Sequence, residues 1–138
     1  MTNEKLRRII NKIELNESEK IYEGIYHVFR NIKNRNFYNG KYSYETHTFE
    51  FVVITNGKEK QAIISNMGDD LHWYVLPKYR KKQVLSNALR TGFVKKLWPS
   101  LKSVTCCHEN GEEYEYDEKY SLTQHLAGIA NLELREGI

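Results

Sequence analysis

A chain of 138 residues, 40% apolar, 12% aromatic and 28% charged, is one domain's worth of sequence with enough apolar material for a core. That balance excludes a disordered tail, and no apolar run reaches the length of a membrane-spanning helix. The formal net charge of +3 is modest but uneven, since residues 78–102 hold eight basic side chains and no acid, and residues 109–118 hold six acids. The first turn of sequence is charged (Glu4, Lys5, Arg7, Arg8) where a secretory leader would be apolar, so the expected location is the cytoplasm.

From the N-terminus, Leu6, Ile9, Ile10 and Ile13 stand at i, i+3, i+4 and i+7, the spacing of one helix face. Ile21, Ile25, Val28, Phe29 and Ile32 repeat that stripe, so residues 1–34 read as a helical pair. Asn16, with Glu19 three residues on, has the form of a capping box between the two. Residues 34–40, rich in Asn and ending in Gly, read as a loop.

Residues 48–55 and 61–67 are rich in β-branched and aromatic side chains and flank Asn56-Gly57, a strong hairpin signal. Residues 71–76 then form a third strand, with Leu71, Trp73 and Val75 on one face and His72, Tyr74 and Leu76 on the other. Leu85, Ala88, Leu89, Gly92, Phe93 and Leu97 line a helix that Pro99 ends, and residues 103–107 give another strand. Strand, helix, strand at this spacing predicts a parallel crossover. Residues 117–130 present a helical face of Leu122, Leu126, Ile129 and Ala130, and residues 132–135 add a short strand. No repeat or linker divides residues 1–138, which read as a single α/β domain whose sheet mixes antiparallel and parallel strands and is flanked by helices.

Cys106 and Cys107 are neighbours on a strand, so their side chains point to opposite faces and are poorly placed to bridge each other. Three consecutive residues, Cys106, Cys107 and His108, cannot all turn to one ion, and there is no second Cys/His cluster, so no metal is expected.

The end of the 71–76 strand is the segment richest in chemistry. Lys78, Arg80, Lys81 and Lys82 crowd a helix start, where unpaired N–H groups already carry the positive end of the peptide dipole. Cations there are unfavourable until an anion is bound, so the loop predicts a site for a phosphorylated ligand.

A hairpin delivering a strand that ends Val75-Leu76-Pro77-Lys78-Tyr79-Arg80, followed by a helix, resembles the GNAT N-acetyltransferase superfamily over residues 48–110 and, in outline, through the last helix and strand. The family's R/Q-x-x-G-x-G/A signature falls on Arg80, Lys81, Lys82, Gln83, Val84 and Leu85, keeping the arginine and placing side chains where the family has two glycines. The resemblance implies a GNAT-like fold, acetyl-CoA or another acyl-CoA as co-substrate with its pyrophosphate on those six residues, and direct acyl transfer to a small-molecule or peptide amine. It also implies that the backbone of Val75 and Leu76 holds the pantetheine arm and faces the thioester, and that Asn110 contacts the cofactor. Such transfer needs a base for the amine proton and an acid for the leaving thiolate. His72 is the best-placed base, and Tyr120 is the candidate acid beside Tyr114, Tyr116 and His125, out of the family's register. The family's opening strand has no counterpart before Leu6, which leaves a sheet edge open to homodimer formation.

Two other functions fit parts of this pattern. The replaced glycines suit a GNAT-fold protein that binds or regulates without catalysis. The basic 78–102 segment, with Tyr79 and Trp98, suggests nucleic acid, but a net charge of +3, a sequence pI near 8.8 and the acidic 109–118 run argue against that partner.

Overall fold

The computed structural model describes residues 1–106 and 116–136, with side chains over 1–104 and 123–134. Its N-terminal helix α1 (Asn3–Lys12) forms as the spacing predicts. Thr2 Oγ1 accepts the Lys5 N–H at 3.1 Å, Glu4 and Lys12 complement the two ends of the dipole, and Leu6 and Ile10 are fully buried. The Asn16–Glu19 capping box is also present, with the Asn16 N–H donating to Glu19 Oε1 at 3.0 Å, but it opens one 3-10 turn (Glu17–Glu19) rather than a helix.

The second helix of the expected pair is absent: β1 (Lys20–Tyr22) and β2 (Ile25–Tyr38) occupy that stretch. Ile25 and Val28, three apart, face opposite sides of a sheet, so their helical spacing reflects a strand covered on both faces. Gly24 makes the turn between β1 and β2. Its φ is +75°, and a Cβ there would stand 2.6 Å from the Thr55 carbonyl oxygen, so only glycine fits.

The expected 34–40 loop is also strand. β2 pairs with β3 (Lys41–Thr55) from Ile25↔Ile54 out to Tyr38↔Lys41, closed by Asn39-Gly40 with φ of 52° and 73° at its two residues. Two consecutive left-handed residues match the right-handed twist of the strands. The predicted Asn56-Gly57 hairpin joins β3 to β4 (Lys60–Asn66), and β5 (Leu71–Val75) completes the sheet.

All five strands are antiparallel neighbours in chain order, β1-β2-β3-β4-β5. The expected parallel crossover from the 71–76 strand is corrected: β6 (Ser103–Cys106) pairs not with β5 but, in parallel, with β7 (Glu133–Glu136), and α4 (Tyr116–Ile129) is the crossover between them. Short helices α2 (Val84–Leu89) and α3 (Phe93–Leu97), split at Gly92 with φ of +81°, replace the single helix expected before Pro99.

The five-stranded sheet has a core on each face. On one, α1 covers Val28, Phe51, Val53, Ile63 and Tyr74; on the other, α2, α3 and α4 cover Val52, Ile54, Ile64 and Leu71 together with Val104 and Leu132. The predicted division of β5 holds, with Leu71, Trp73 and Val75 packed on the second face and Tyr74 and Leu76 on the first. The protein is therefore mixed α/β, dominated by an antiparallel sheet, and among its described residues no helix is long and apolar enough to cross a membrane.

Candidate functional site

The loop singled out by sequence forms a 3-10 turn (Pro77–Tyr79) and an irregular approach to α2 in which Lys81 and Gln83 take left-handed conformations, φ 61° and 59°. Lys81, Lys82 and Gln83 are exposed, Val84 is half-buried and Leu85 is buried against the core. Two polar groups that the resemblance lends to a ligand are used within the chain: the Leu76 N–H donates to the Gln61 carbonyl at 3.0 Å, and the Val75 carbonyl accepts Arg80 Nε–H at 3.0 Å. The Arg80 guanidinium also lies 5.4 Å from the Tyr74 ring centre, on the α1 face. Lys78 and the Tyr79 hydroxyl both reach Glu59, whose carboxyl is held below its ordinary range by the Tyr79 hydroxyl first and Lys78 second.

His72 projects from β5 toward α1, with Nδ1 3.0 Å from the Met1 carbonyl oxygen and Nε2 2.6 Å from Asn3 Oδ1. Leu85 and helix α2 pack on the opposite side of the sheet from His72, whereas the Arg80 guanidinium reaches Tyr74 on the His72 side. Tyr120 falls within α4, and its side chain, like Asn110, Cys107, His108 and Tyr114, lies outside the described residues.

A different surface gathers side chains that sequence reading passed over. Beyond Phe49 the β2–β3 pair leaves the sheet as a two-stranded ribbon, because β1 pairs only with the start of β2 and β4 only with residues 50–55 of β3. Directly opposed residues share a face, so one face carries Phe29 and Glu50, Asn31 and Thr48, Lys33 and Thr46, Arg35 and Tyr44, then Phe37 and Tyr42. Four of the large apolar side chains the molecule exposes are on this face: Phe29 (56%), Phe37 (63%), Tyr42 (61%) and Tyr44 (57%). Cations are interleaved with the rings, Lys33 Nζ 4.3 Å from the Tyr44 centre and the Arg35 guanidinium 4.5 Å from that of Tyr42. Phe37 and Tyr42 pack with centres 5.0 Å apart. Among the described residues, no acid of the ribbon's strands stands on this face outboard of Glu50; Glu45 is on the other side, opposite Asn34.

At the foot of the ribbon, Glu50 is the centre of a polar node. Its Oε2 accepts Trp98 Nε1–H at 2.9 Å and lies 2.6 Å from His27 Nε2, while Oε1 accepts Asn66 Nδ2–H at 2.9 Å. Burial pushes the Glu50 carboxyl up, but the donors Trp98, His27 and Asn66 together outweigh it and hold the group below its ordinary range. An ionised Glu50 makes His27 Nε2 the donor, and Nδ1 is bonded to no described residue. The ring of His27 packs 5.0 Å from that of Phe29 and edge-on to Trp98 at 6.4 Å. β2, β3, β4 and the end of α3 thus contribute one residue each. Such convergence across four elements has no sequence motif; the available signal is another Asn-Gly dipeptide, Asn39-Gly40, which marks the ribbon.

No protein-family model, no curated protein and no solved structure matches this chain.

Proposed function

We propose that the protein binds single-stranded nucleic acid along the cation–aromatic face of the β2–β3 ribbon. The observation that carries this reading is the clustering of Phe29, Phe37, Tyr42 and Tyr44 on one face, interleaved with Lys33 and Arg35 and, among the described residues, with no acid on the ribbon's strands outboard of Glu50. Burying one such ring is worth about 1.5–3 kcal/mol, so a chain that leaves four in water forgoes several such increments of stability. Aromatic rings offer stacking to any base, and interleaved cations neutralise the backbone. Tyr42 and Tyr44, two residues apart on one strand, stand about 6.8 Å apart along it, and a base stacks at about 3.4 Å from its neighbour, so the pair spans one inserted base. A modest overall charge does not oppose this, because the charge that matters is local to the face.

Fluorescence anisotropy with a labelled single-stranded oligonucleotide tests the reading. Tyr42→Ala and Tyr44→Ala are each expected to weaken binding about 5- to 150-fold, and Lys33→Gln to reduce the slope of log affinity against log salt by about 0.7. Absence of binding at low salt, or equal binding by the ribbon variants, would reject it.

The acyl-CoA N-acyltransferase implied by the GNAT resemblance is a second reading, favoured by exposed Lys81 and Lys82 at the turn before α2. It asks for a cofactor cleft beside β5, whose hydrogen-bonded neighbour is β4, while β6 pairs with β7. Calorimetric titration with acetyl-CoA separates the two readings: measurable binding that Lys82→Ala weakens favours the transferase, and none at millimolar cofactor removes it.

A further inference from the structure

The node at the foot of the ribbon has a feature that strand binding does not use. Glu50, fixed by Trp98 and Asn66, holds His27 by Nε2 and so directs its Nδ1 away from the carboxylate. A carboxylate that sets the tautomer and orientation of an imidazole whose other nitrogen is open is the arrangement of a general base. Both side chains are sheltered but reachable, 19% and 22% exposed. The pair stands at the inner end of the ring-and-cation face, beside exposed Phe29, where a strand lying on the ribbon would arrive. The same face continues past His27 to Tyr22, which pairs with Ile25, and the Lys96 ammonium sits 5.0 Å from the Tyr22 ring centre. An exposed cation is therefore placed on the side of His27 away from the ribbon.

We propose that this foot is an RNA-cleaving site in which His27 is the general base, Glu50 its positioning residue and Lys96 the cation that balances charge on the reacting phosphate; the proposal rests on the ribbon reading for delivery of the strand. His27 Nδ1 takes the proton of a ribose 2′-hydroxyl, and the freed electron pair on O2′ forms a bond to the adjacent phosphorus. The P–O5′ bond breaks, its electron pair leaving on O5′, which takes a proton from water. The imidazolium returns its proton to the hydroxide so formed. The products are a 2′,3′-cyclic phosphate and a free 5′-hydroxyl, with no oxidant, reductant or metal consumed. DNA lacks the attacking hydroxyl, so a DNA strand binds without being cut.

The test compares two strands of one sequence on the full chain, a fluorophore–quencher RNA for cleavage and its DNA counterpart for binding. Wild-type protein is expected to cut the RNA to a cyclic-phosphate end and leave the DNA intact. His27→Ala should lower the cleavage rate about 100-fold or more while DNA affinity stays within about threefold, with added imidazole restoring part of the rate. Glu50→Gln should lower kcat at little-changed KM and shift the His27 ring-nitrogen NMR signals away from the Nε2–H tautomer, a change that a purely structural role for Glu50 would not link to turnover. Intact RNA after hours with protein that binds the DNA strand would overturn the cleavage proposal and leave the binding reading standing. Equal cleavage by identically prepared His27→Ala would also overturn it, by marking the activity as foreign. If neither strand binds, both readings fall.

Discussion

Strand β3 passes through two environments. Residues 51–54 are buried whichever way they point, whereas residues 41–48 are exposed on both faces, although the same partner strand β2 runs beside them throughout. Phe51 and Tyr42 make the contrast concrete. Phe51 is fully buried, stacks near Phe49 at 6.1 Å and sits under α1; Tyr42 is an exposed ring whose neighbours are Phe37 and Arg35. The inner half shows what aromatic side chains do when the chain has elements to cover them, and the outer half shows rings held by cross-strand pairing alone. Replacing a fully buried ring removes its transfer energy and leaves a cavity, so Phe51→Ala is expected to cost about 3–5 kcal/mol, read from the urea midpoint at unchanged slope. A loss below about 1 kcal/mol would mean that the inner half is not the core that its burial indicates.

The same contrast explains which parts of the fold were legible in the sequence. Where one face is buried and one is wet, periodicity reports structure directly, and Leu6, Ile10 and Ile13 in α1 are the example. Where both faces are covered, as at Ile25 and Val28, or neither is, as in residues 34–40, the period loses its meaning, and β2 carries a helical spacing in its first half and a loop's composition in its second. Alternation survived in β5 because its two faces take different residues, Leu71, Trp73 and Val75 against His72 and Tyr74. A strand–helix–strand spacing does not name the partner strand, and β7, which pairs with β6, comes some thirty residues later in the chain. The polar node was illegible for a related reason: His27, Glu50, Asn66 and Trp98 are separated by up to 71 positions and meet only through strand register and the path of α3.

A clamp marks the border between the halves and offers a sharper probe. Arg30, on β2, donates to both oxygens of Glu19 at 2.7 and 2.8 Å and to the Glu14 carbonyl at 2.8 Å, tying the ribbon's base to the segment after α1. Glu19 is held below its ordinary range, first by the hydrogen bond from Arg30; burial opposes this, and the Asn16 N–H adds to the lowering. Charge-assisted bonds of this sort, both side chains less than a third exposed, are worth about 1.5–3 kcal/mol, which sets the expected loss for Arg30→Ala at neutral pH. Because the folded-state value is depressed, the stabilisation is present above the unfolded carboxyl's titration and is lost as pH falls through the folded one. Wild type and Arg30→Ala should therefore converge in stability as the solution is acidified, and denaturant melts at neutral and acid pH would show it. A gap that stays constant across the series would remove Glu19 as the partner that matters.

The smallest effect on stability belongs to the outer half and separates it most cleanly from the inner one. Tyr42→Ala removes one cross-strand contact with Phe37 and one cation–ring contact with Arg35, each an exposed interaction of about 0.2–1 kcal/mol, and opens no cavity because the ring is 61% exposed. Its stability is accordingly expected to fall by at most about 2 kcal/mol, less than for Phe51→Ala, while its affinity for a single strand falls by the factor expected from a lost stacking partner. Measured side by side, the two substitutions should cross over, Phe51→Ala losing stability and Tyr42→Ala losing binding. Should Tyr42→Ala unfold the protein as readily as Phe51→Ala does, the ribbon is an extension of the core, its rings are held for stability, and the case for a docking face is withdrawn.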